Sequence, residues 1–345
     1  MRITMKHIAQ EAGVSVMTVS NVINGKGGKV SEDKRIEIEK IIKKYNYSPN
    51  MNAKALVNAS SRLIGLLYYS DGPGYDFSDP FATEVLSGIE SIAKKENYFI
   101  LIHNVNSLED IQEIQSNWAF SGFIAVGFYQ EIYLKMVEAV SVPIVFVDTH
   151  LDNEGEALNN SNVYFVKSDD YLQAKKAVDF LYSQGHEKIG FLSYNFDLEI
   201  VGVIERRFKG YKDSLMEKGL SFDKDLIFND SDFDNIIENL KQFSALFVTA
   251  DFLAMNFIKY LRNKGLYDVN ALSIISIDDI RYAELNNPPL TTIRLNQVYK
   301  GTVAIERIIQ IVEKQSDIPK VTIIEGELIE RDSVSWHAKK VDYDR

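Results

Sequence analysis

At 345 residues, with 46% apolar and 25% charged residues, the chain is long enough for two or more domains and has the composition of a soluble globular protein. It has no cysteine, which excludes a disulfide framework, thiolate catalysis and a Cys-ligated metal, and no run of about 18 apolar residues that would span a membrane as a helix. The net charge of −11 is divided unevenly: residues 1–62 hold eleven Lys and Arg against five Asp and Glu, leaving 27 of the 38 basic and 44 of the 49 acidic residues for the remainder. A small basic head on an acidic body suits a module for a polyanion joined to a body that stays off it.

The head begins with two short helices. Thr4 is an N-cap, Ile8 and Ala9 start an apolar face, and Ala12-Gly13-Val14 breaks it, with Gly13 supplying the backbone freedom of a sharp helix-to-helix turn. Ser15 caps a second helix whose Val19, Val22 and Ile23 point inward at i, i+3, i+4. Val16, Met17, Thr18, Ser20, Asn21 and Asn24 are left outside. This spacing predicts a helix-turn-helix, with a second helix of the size that fits a DNA major groove. An ordinary helical hairpin is the bland alternative, and the coincident positive charge weighs against it. Ser31 caps a third helix with Glu32 and Asp33 in its first turn and Ile36, Ile38, Ile41 and Ile42 on its apolar face. Lys40, Lys43 and Lys44 complement the dipole at its C-terminal end, so part of the positive charge has a structural reason. Pro49 closes the head. The segment from Met51 to Asn58 has helix formers but is too short to hold as an isolated helix in water, and is read as a helix ordered only when something packs on it.

From Arg62 the pattern becomes alternating strands and helices. Strands are expected at 63–69, 98–102, 122–126 and 143–147, with helices at 81–96, 107–118 and 130–139 between them. The pattern then restarts with a strand at 163–166, followed by helices at 169–184, 202–218, 232–242 and 251–264, strands near 188–192, 225–228, 245–249 and 272–277, a loop at 287–293 followed by a short strand, a helix at 297–314 and a last strand pair across 321–331. The fold class is therefore α/β, with two doubly wound halves and a cleft between them beyond the carboxyl ends of the strands.

The head from Ile3 to Asn24, with Ala12-Gly-Val-Ser15 and Thr18-Val-Ser20 and followed by Asn46-Tyr-Ser-Pro-Asn50, resembles the DNA-binding signature of the lactose-repressor (LacI/GalR) family of bacterial transcription regulators. The body adds Leu63-Ile-Gly65, Phe146-Val-Asp148, Gly185-His-Glu-Lys-Ile-Gly190, Arg207-Phe-Lys-Gly-Tyr211, Ile277-Asp-Asp279, Pro288-Pro-Leu-Thr-Thr292 and Glu330-Arg331, in family order along the whole chain. The resemblance implies a helix-turn-helix domain at 1–48, a hinge helix and linker at 49–61, and a periplasmic-binding-protein-like effector and dimerisation domain at 62–345. The two subdomains of that body are expected at about 62–161 plus 293–321 and 162–292 plus 322–345. The implied partners are double-stranded operator DNA with a pseudo-palindromic site, a small-molecule effector of the sugar class, and a second copy in a homodimer; no cofactor and no membrane are implied.

By the same resemblance, Val16, Met17 and Asn21 read bases, and an Asn where the family usually carries Arg suits adenine better than guanine. Thr4, Ser15, Thr18, Ser20, Asn24, Asn50 and Lys54 fall on the DNA side of the head and hinge, with Thr18, Ser20 and Asn24 suited to phosphates. Ala53 is placed on the minor-groove floor and Leu56 as the wedge at the central base step. Asp148, Arg207 and Asp278 are implied to face the effector cleft, where carboxylates and a guanidinium offer paired bonds to hydroxyls. Tyr69, Asp71 and Phe81 are expected on the opposite wall, an aromatic there stacking on an apolar sugar face. Duller roles exist for each: Asp148 as a turn cap, Arg207 paired with Glu205 at the surface, Phe81 as core. Ala250 stands where the family often has Asn, which removes one usual ligand contact.

The five histidines show no metal spacing, and neither a Gly-x-Ser-x-Gly elbow nor a P-loop is present, so an enzyme is not expected. His150 near Asp148 reads as a surface hydrogen bond. A sugar-binding transport protein would need an export signal, and Lys6, His7 and Glu11 interrupt any such segment, so the expected compartment is the cytoplasm. A corepressor-type regulator, whose ligand strengthens DNA binding, is the alternative within the same family.

Overall fold

The computed structural model describes residues 3–23, 25, 30–47, 61–70, 77–78, 80–231 and 233–337. Two compact units divide the chain, Met1–Arg62 and Leu63–Arg345.

In the smaller unit, α1 (Met5–Glu11), α2 (Val16–Ile23) and α3 (Glu32–Lys44) enclose a core of Ile8, Ala9, Ala12, Val19, Ile38 and Ile41. Gly13, at φ +63, makes the turn between the first two helices. The Thr18 amide donates to Ser15 Oγ at 3.1 Å, so Ser15 caps α2. Lys34 donates to the Ala12 carbonyl at 2.8 Å and Lys44 pairs with Glu11 at 2.7 Å, fixing α3 against α1. The expected hinge segment 49–61 lies outside the described residues except at Ser61.

The larger unit holds two six-stranded sheets. The first contains β1 (Leu63–Tyr69), β2 (Phe99–Val105), β3 (Gly122–Val126), β4 (Ile144–Val147), β5 (Val163–Ser168) and β11 (Val321–Ile324), in the order β11-β5-β4-β3-β1-β2 with every pair parallel. Strand residues alternate between its two apolar faces: Val145 and Val147 join the core under α4 (Pro80–Lys95) and α12 (Gln297–Val312), while Ile144 and Phe146 join that under α5 (Leu108–Asn117) and α6 (Gln130–Ala139). A short α7 (Glu154–Ala157) follows β4. The second sheet contains β6 (Ile189–Ser193), β7 (Ile227–Asn229), β8 (Ala245–Val248), β9 (Ser273–Asp278), β10 (Thr291–Arg294) and β12 (Glu327–Ile329), in the order β12-β10-β9-β8-β6-β7. It is parallel except for β12 against β10. The helices α8 (Asp170–Ser183) and α9 (Val203–Glu217) cover one face, and α10 (Phe233–Asn239) and α11 (Asp251–Asn263) the other.

Three expectations about the lobes are corrected. The strand at 163–168 does not restart the pattern in the second lobe; it pairs with β4 in the first sheet. Residues 293 and 294, expected in the first lobe, belong to β10 of the second sheet. The strands at 321–324 and 327–329 do not pair with each other: β11 ends in one sheet and β12 begins in the other. The chain thus crosses between lobes after Ser168, before Gln297 and at Glu325-Gly326. Where α4 crosses α12, glycines permit the approach, since a Cβ on Gly88 would lie 1.9 Å from the Val298 carbonyl oxygen and one on Gly301 would lie 2.1 Å from that of Val85.

Candidate functional sites

On the head, α2 turns Val19 into the core and leaves Val16 and Met17 outside, at 43% and 69% exposure. Among the described residues neither of these apolar side chains joins the core of the small basic unit. Ser20 and Asn21 lie half-buried on the same helix. Thr4 and Ser15 do structural work: the Thr4 amide donates to His7 Nδ1 at 3.1 Å at the start of α1, and Ser15 Oγ lies 2.9 Å from the Thr18 hydroxyl. Asn24, Asn50, Ala53, Lys54 and Leu56 lie outside the described residues.

In the larger unit a cavity of about 990 Å³ opens between the lobes at the carboxyl ends of both sheets. Asp148 follows β4 and Asp278 ends β9, and both line the cavity. Their backbones have φ of 50° and 127°, sparsely populated for residues other than glycine, so each strand end is bent to present its carboxylate. Arg207, on the second turn of α9, lines the cavity beside them.

A buried ionic network holds these groups. Lys300 of α12, fully buried, donates to both oxygens of Asp148 at 3.0 and 2.8 Å, and the Ser168 amide donates to Asp148 Oδ1 at 3.2 Å. The Arg207 Nε donates to Asp170 Oδ1 at 2.8 Å, its Nη1 donates to the Thr249 carbonyl, and its Nη2 lies 4.0 Å from Asp278. His150 meets the other Asp170 oxygen at 2.8 Å. Burial alone would raise the Asp170 carboxyl; the Arg207 charge, the His150 bond and Lys300 outweigh it and hold the group below the usual carboxylate range. Burial would likewise lower Arg207, and the carboxylates of Asp170 and Asp278 raise it instead. Gln297 Nε2 donates to Asp278 at 3.3 Å, joining the start of α12 to the end of β9.

Phe81 lines the cavity from the first lobe with Phe128 and Tyr129, opposite Tyr194 and Phe196 of the second. Tyr69 does not line it: its ring packs on Phe128 at 5.6 Å and edge-on to Tyr129 at 5.7 Å, backing that wall from behind. Asp71 lies outside the described residues. Ala250 lines the cavity. The duller role for Arg207 is not what the structure places there, because its partner is buried Asp170 and not Glu205. His150 is buried and bonded to Asp170, not a surface partner of Asp148. Asp170, Lys300, Gln297 and Thr249 were not found by sequence reasoning; a lysine within the apolar pattern of α12 is the one sequence signal that pointed there.

Residues 4–50 match the model of the bacterial regulatory proteins of the lacI family, and residues 178–334 match that of a periplasmic binding protein-like domain. The chain joins a lacI-family regulatory head to a periplasmic binding protein-like body. Among the LacI-family relatives, the ribose operon repressor of Haemophilus influenzae is 28% identical over 349 residues, covering 96% of this chain and 98% of the relative. The transcriptional regulator GalR of Escherichia coli is 28% identical over 348 residues, covering 96% of each. The solved Lac repressor dimer, bound to operator and an anti-inducer, shares the fold with a TM-score of 0.80 at 21% identity, over 97% of this chain and all of that one. Both curated relatives are named as transcriptional regulators, and the match at residues 4–50 is to a bacterial regulatory domain. Among the described residues no group of three or more His, Asp and Glu is placed to hold a metal, and no helix is long and apolar enough to cross a membrane.

Proposed function

We propose that this repressor binds a pseudo-palindromic operator as a homodimer and is released from it when a sugar or sugar derivative enters the interlobe cavity. The observation that carries the reading is the convergence of Asp148, Arg207 and Asp278 from both lobes on one aromatic-walled cavity. Carboxylates and a guanidinium give directional bonds to vicinal hydroxyls, and the rings give apolar contact to the sugar's C–H faces. The name of the Haemophilus relative, a ribose operon repressor, supports the same effector class. On this reading Val16, Met17 and Asn21 read bases, Thr18, Ser20 and Asn24 hold phosphates, and residues 49–61 wind into hinge helices in the minor groove with Ala53 on its floor and Leu56 as the wedge. Effector drawing the lobes together shifts the first lobe, into whose β1 the hinge segment runs in sequence. Coupling between two such sites is typically about 1–3 kcal/mol and reciprocal.

The test is a titration of operator affinity by fluorescence anisotropy with and without saccharide. Induction requires that the effector weaken operator binding by about 5–150-fold; a ligand that strengthens it makes the protein a corepressor-type regulator instead. Asp148→Asn should abolish the response while operator affinity persists.

A further inference from the structure

Resting on the assignment of the interlobe cavity as the effector site, we propose that the effector is an uncharged oligosaccharide of at least two rings, and that the site rejects phosphorylated and carboxylated sugars. The charge of the wall carries the first half. Five carboxylates line the cavity, from Asp148, Asp197, Glu199, Glu205 and Asp278, against the single guanidinium of Arg207 among the described lining residues. The cations near the wall are already committed. Lys300 is bonded to both oxygens of Asp148, Arg207 is held by Asp170 and the Thr249 carbonyl, and Lys209 pairs with Glu205. Arg207 keeps N–H groups enough for a neutral hydroxyl acceptor, not enough to offset a phosphate monoester carrying close to two negative charges. Asp197 and Glu199, exposed along the wall, add repulsion to any anion entering.

Two helix N-termini at the cavity would otherwise welcome an anion. The first turn of each already holds an acid, although burial pushes the Asp251 carboxyl up to about 7, so its charge is only partly present at neutral pH. Glu205, 2% exposed, sits in the first turn of α9, and Asp251 sits in the first turn of α11, accepting from Ser276 at 2.5 Å, Thr292 at 2.6 Å and the Ile280 amide at 2.9 Å. Against this, neutral hydrogen-bonding capacity is left at the wall: Thr249 lines the cavity, and its buried hydroxyl has no hydrogen-bond partner among the described residues. Size carries the second half. The cavity's volume of about 990 Å³ lies at the upper end of the ~300–1,000 Å³ range of small-molecule sites. Three rings on one wall and two on the other are more aromatic surface than the two faces of one pyranose can cover.

The experiment uses the full chain in calorimetric and thermal-shift titrations at low salt. The probes are the monosaccharides ribose, glucose and galactose, the disaccharides maltose, cellobiose, lactose, sucrose and trehalose, and the matched phosphates glucose 6-phosphate and trehalose 6-phosphate. At least one neutral disaccharide should bind at least 10-fold more tightly than any monosaccharide, and each phosphate at least 10-fold more weakly than its parent sugar. The double variant Asp197→Asn/Glu199→Gln should narrow the gap between parent and phosphate by several-fold. A phosphate binding as well as its parent, a monosaccharide binding more tightly than every disaccharide, or no response to any saccharide overturns the proposal. A saccharide whose binding survives Asp148→Asn and Arg207→Gln unchanged places the effector outside this cavity, which overturns the site assignment itself and is distinguishable from a loss of charge discrimination.

Discussion

Replacing Lys300 with Met tests whether the cleft depends on a cation buried behind it. The two side chains are similar in length and shape, so the substitution removes a charge with little change in packing. Lys300 is fully buried and meets Asp148, itself 7% exposed, at 2.8 and 3.0 Å. At that separation the Coulomb attraction is on the order of 5–6 kcal/mol for an effective dielectric constant near 20. Desolvation of both groups offsets much of it, but removing one partner leaves the other charge buried and uncompensated, at a cost of about 3–5 kcal/mol. For a domain of this size each kcal/mol lowers Tm by roughly 2–4 °C, so Lys300→Met should lower Tm by roughly 6–20 °C. Adding Asp148→Asn removes the orphaned charge and should restore most of the loss, giving a coupling energy of at least about 2–3 kcal/mol in a double-mutant cycle measured by urea denaturation. If Lys300→Met costs under about 1 kcal/mol, or the two losses simply add, Asp148 is not held by this lysine and the description of the cleft is wrong.

Other outcomes follow from the same structure. Burial holds the His186 imidazole down at about 4, and the neutral ring is satisfied by Ser244 at 2.8 Å and the Ser335 carbonyl at 3.2 Å. The unfolded chain takes up that proton near pH 6.5, so stability is full above that pH and falls towards pH 4, by at most about 3 kcal/mol. His186→Gln should flatten a pH series of denaturation midpoints in that window, and an unchanged slope would exclude His186 as its source. Gly301→Ala should destabilise by about 1–3 kcal/mol through overpacking against the Val85 carbonyl; full stability would mean that α4 and α12 can part without cost. Asn21→Arg should move operator preference by about 1–3 kcal/mol at one base pair in selections from randomised duplexes, and an unaltered preference removes that residue from base reading. Leu56→Ala should weaken operator binding far more than random-DNA binding, and equal losses refute a wedge.

The head was legible because its determinants are local. Gly13 between two short apolar patterns, Ser15 ahead of the second and Ser31 ahead of the third lie within a few residues of what they shape, and α1, α2 and α3 form where that spacing puts them. The strands of the body were legible for the same reason, as short apolar runs between helical periods. Asp148, Arg207 and Asp278 were marked by position at strand ends and in one helix, and the structure gathers them around one cavity.

Which sheet each strand joins was not written in the same way. Helices cover both faces of each sheet, so the central strands read as uniform apolar runs, and nothing in the run at 163–168 or at 321–324 says which lobe will take it. Parallel pairing is decided by partners far along the chain: β11 lies against β5 only because α12 carries it back to the first lobe. The ionic network depends on the same distant returns, since Lys300 reaches Asp148 across 152 residues and Arg207 reaches Asp170 across 37. The sequence by itself determined a basic three-helix head and an acidic α/β body, because caps, turns and periodicity act over a few residues. The tertiary structure decided which charges are buried against each other at the cleft, because that follows from how the two sheets share one chain and not from any local pattern.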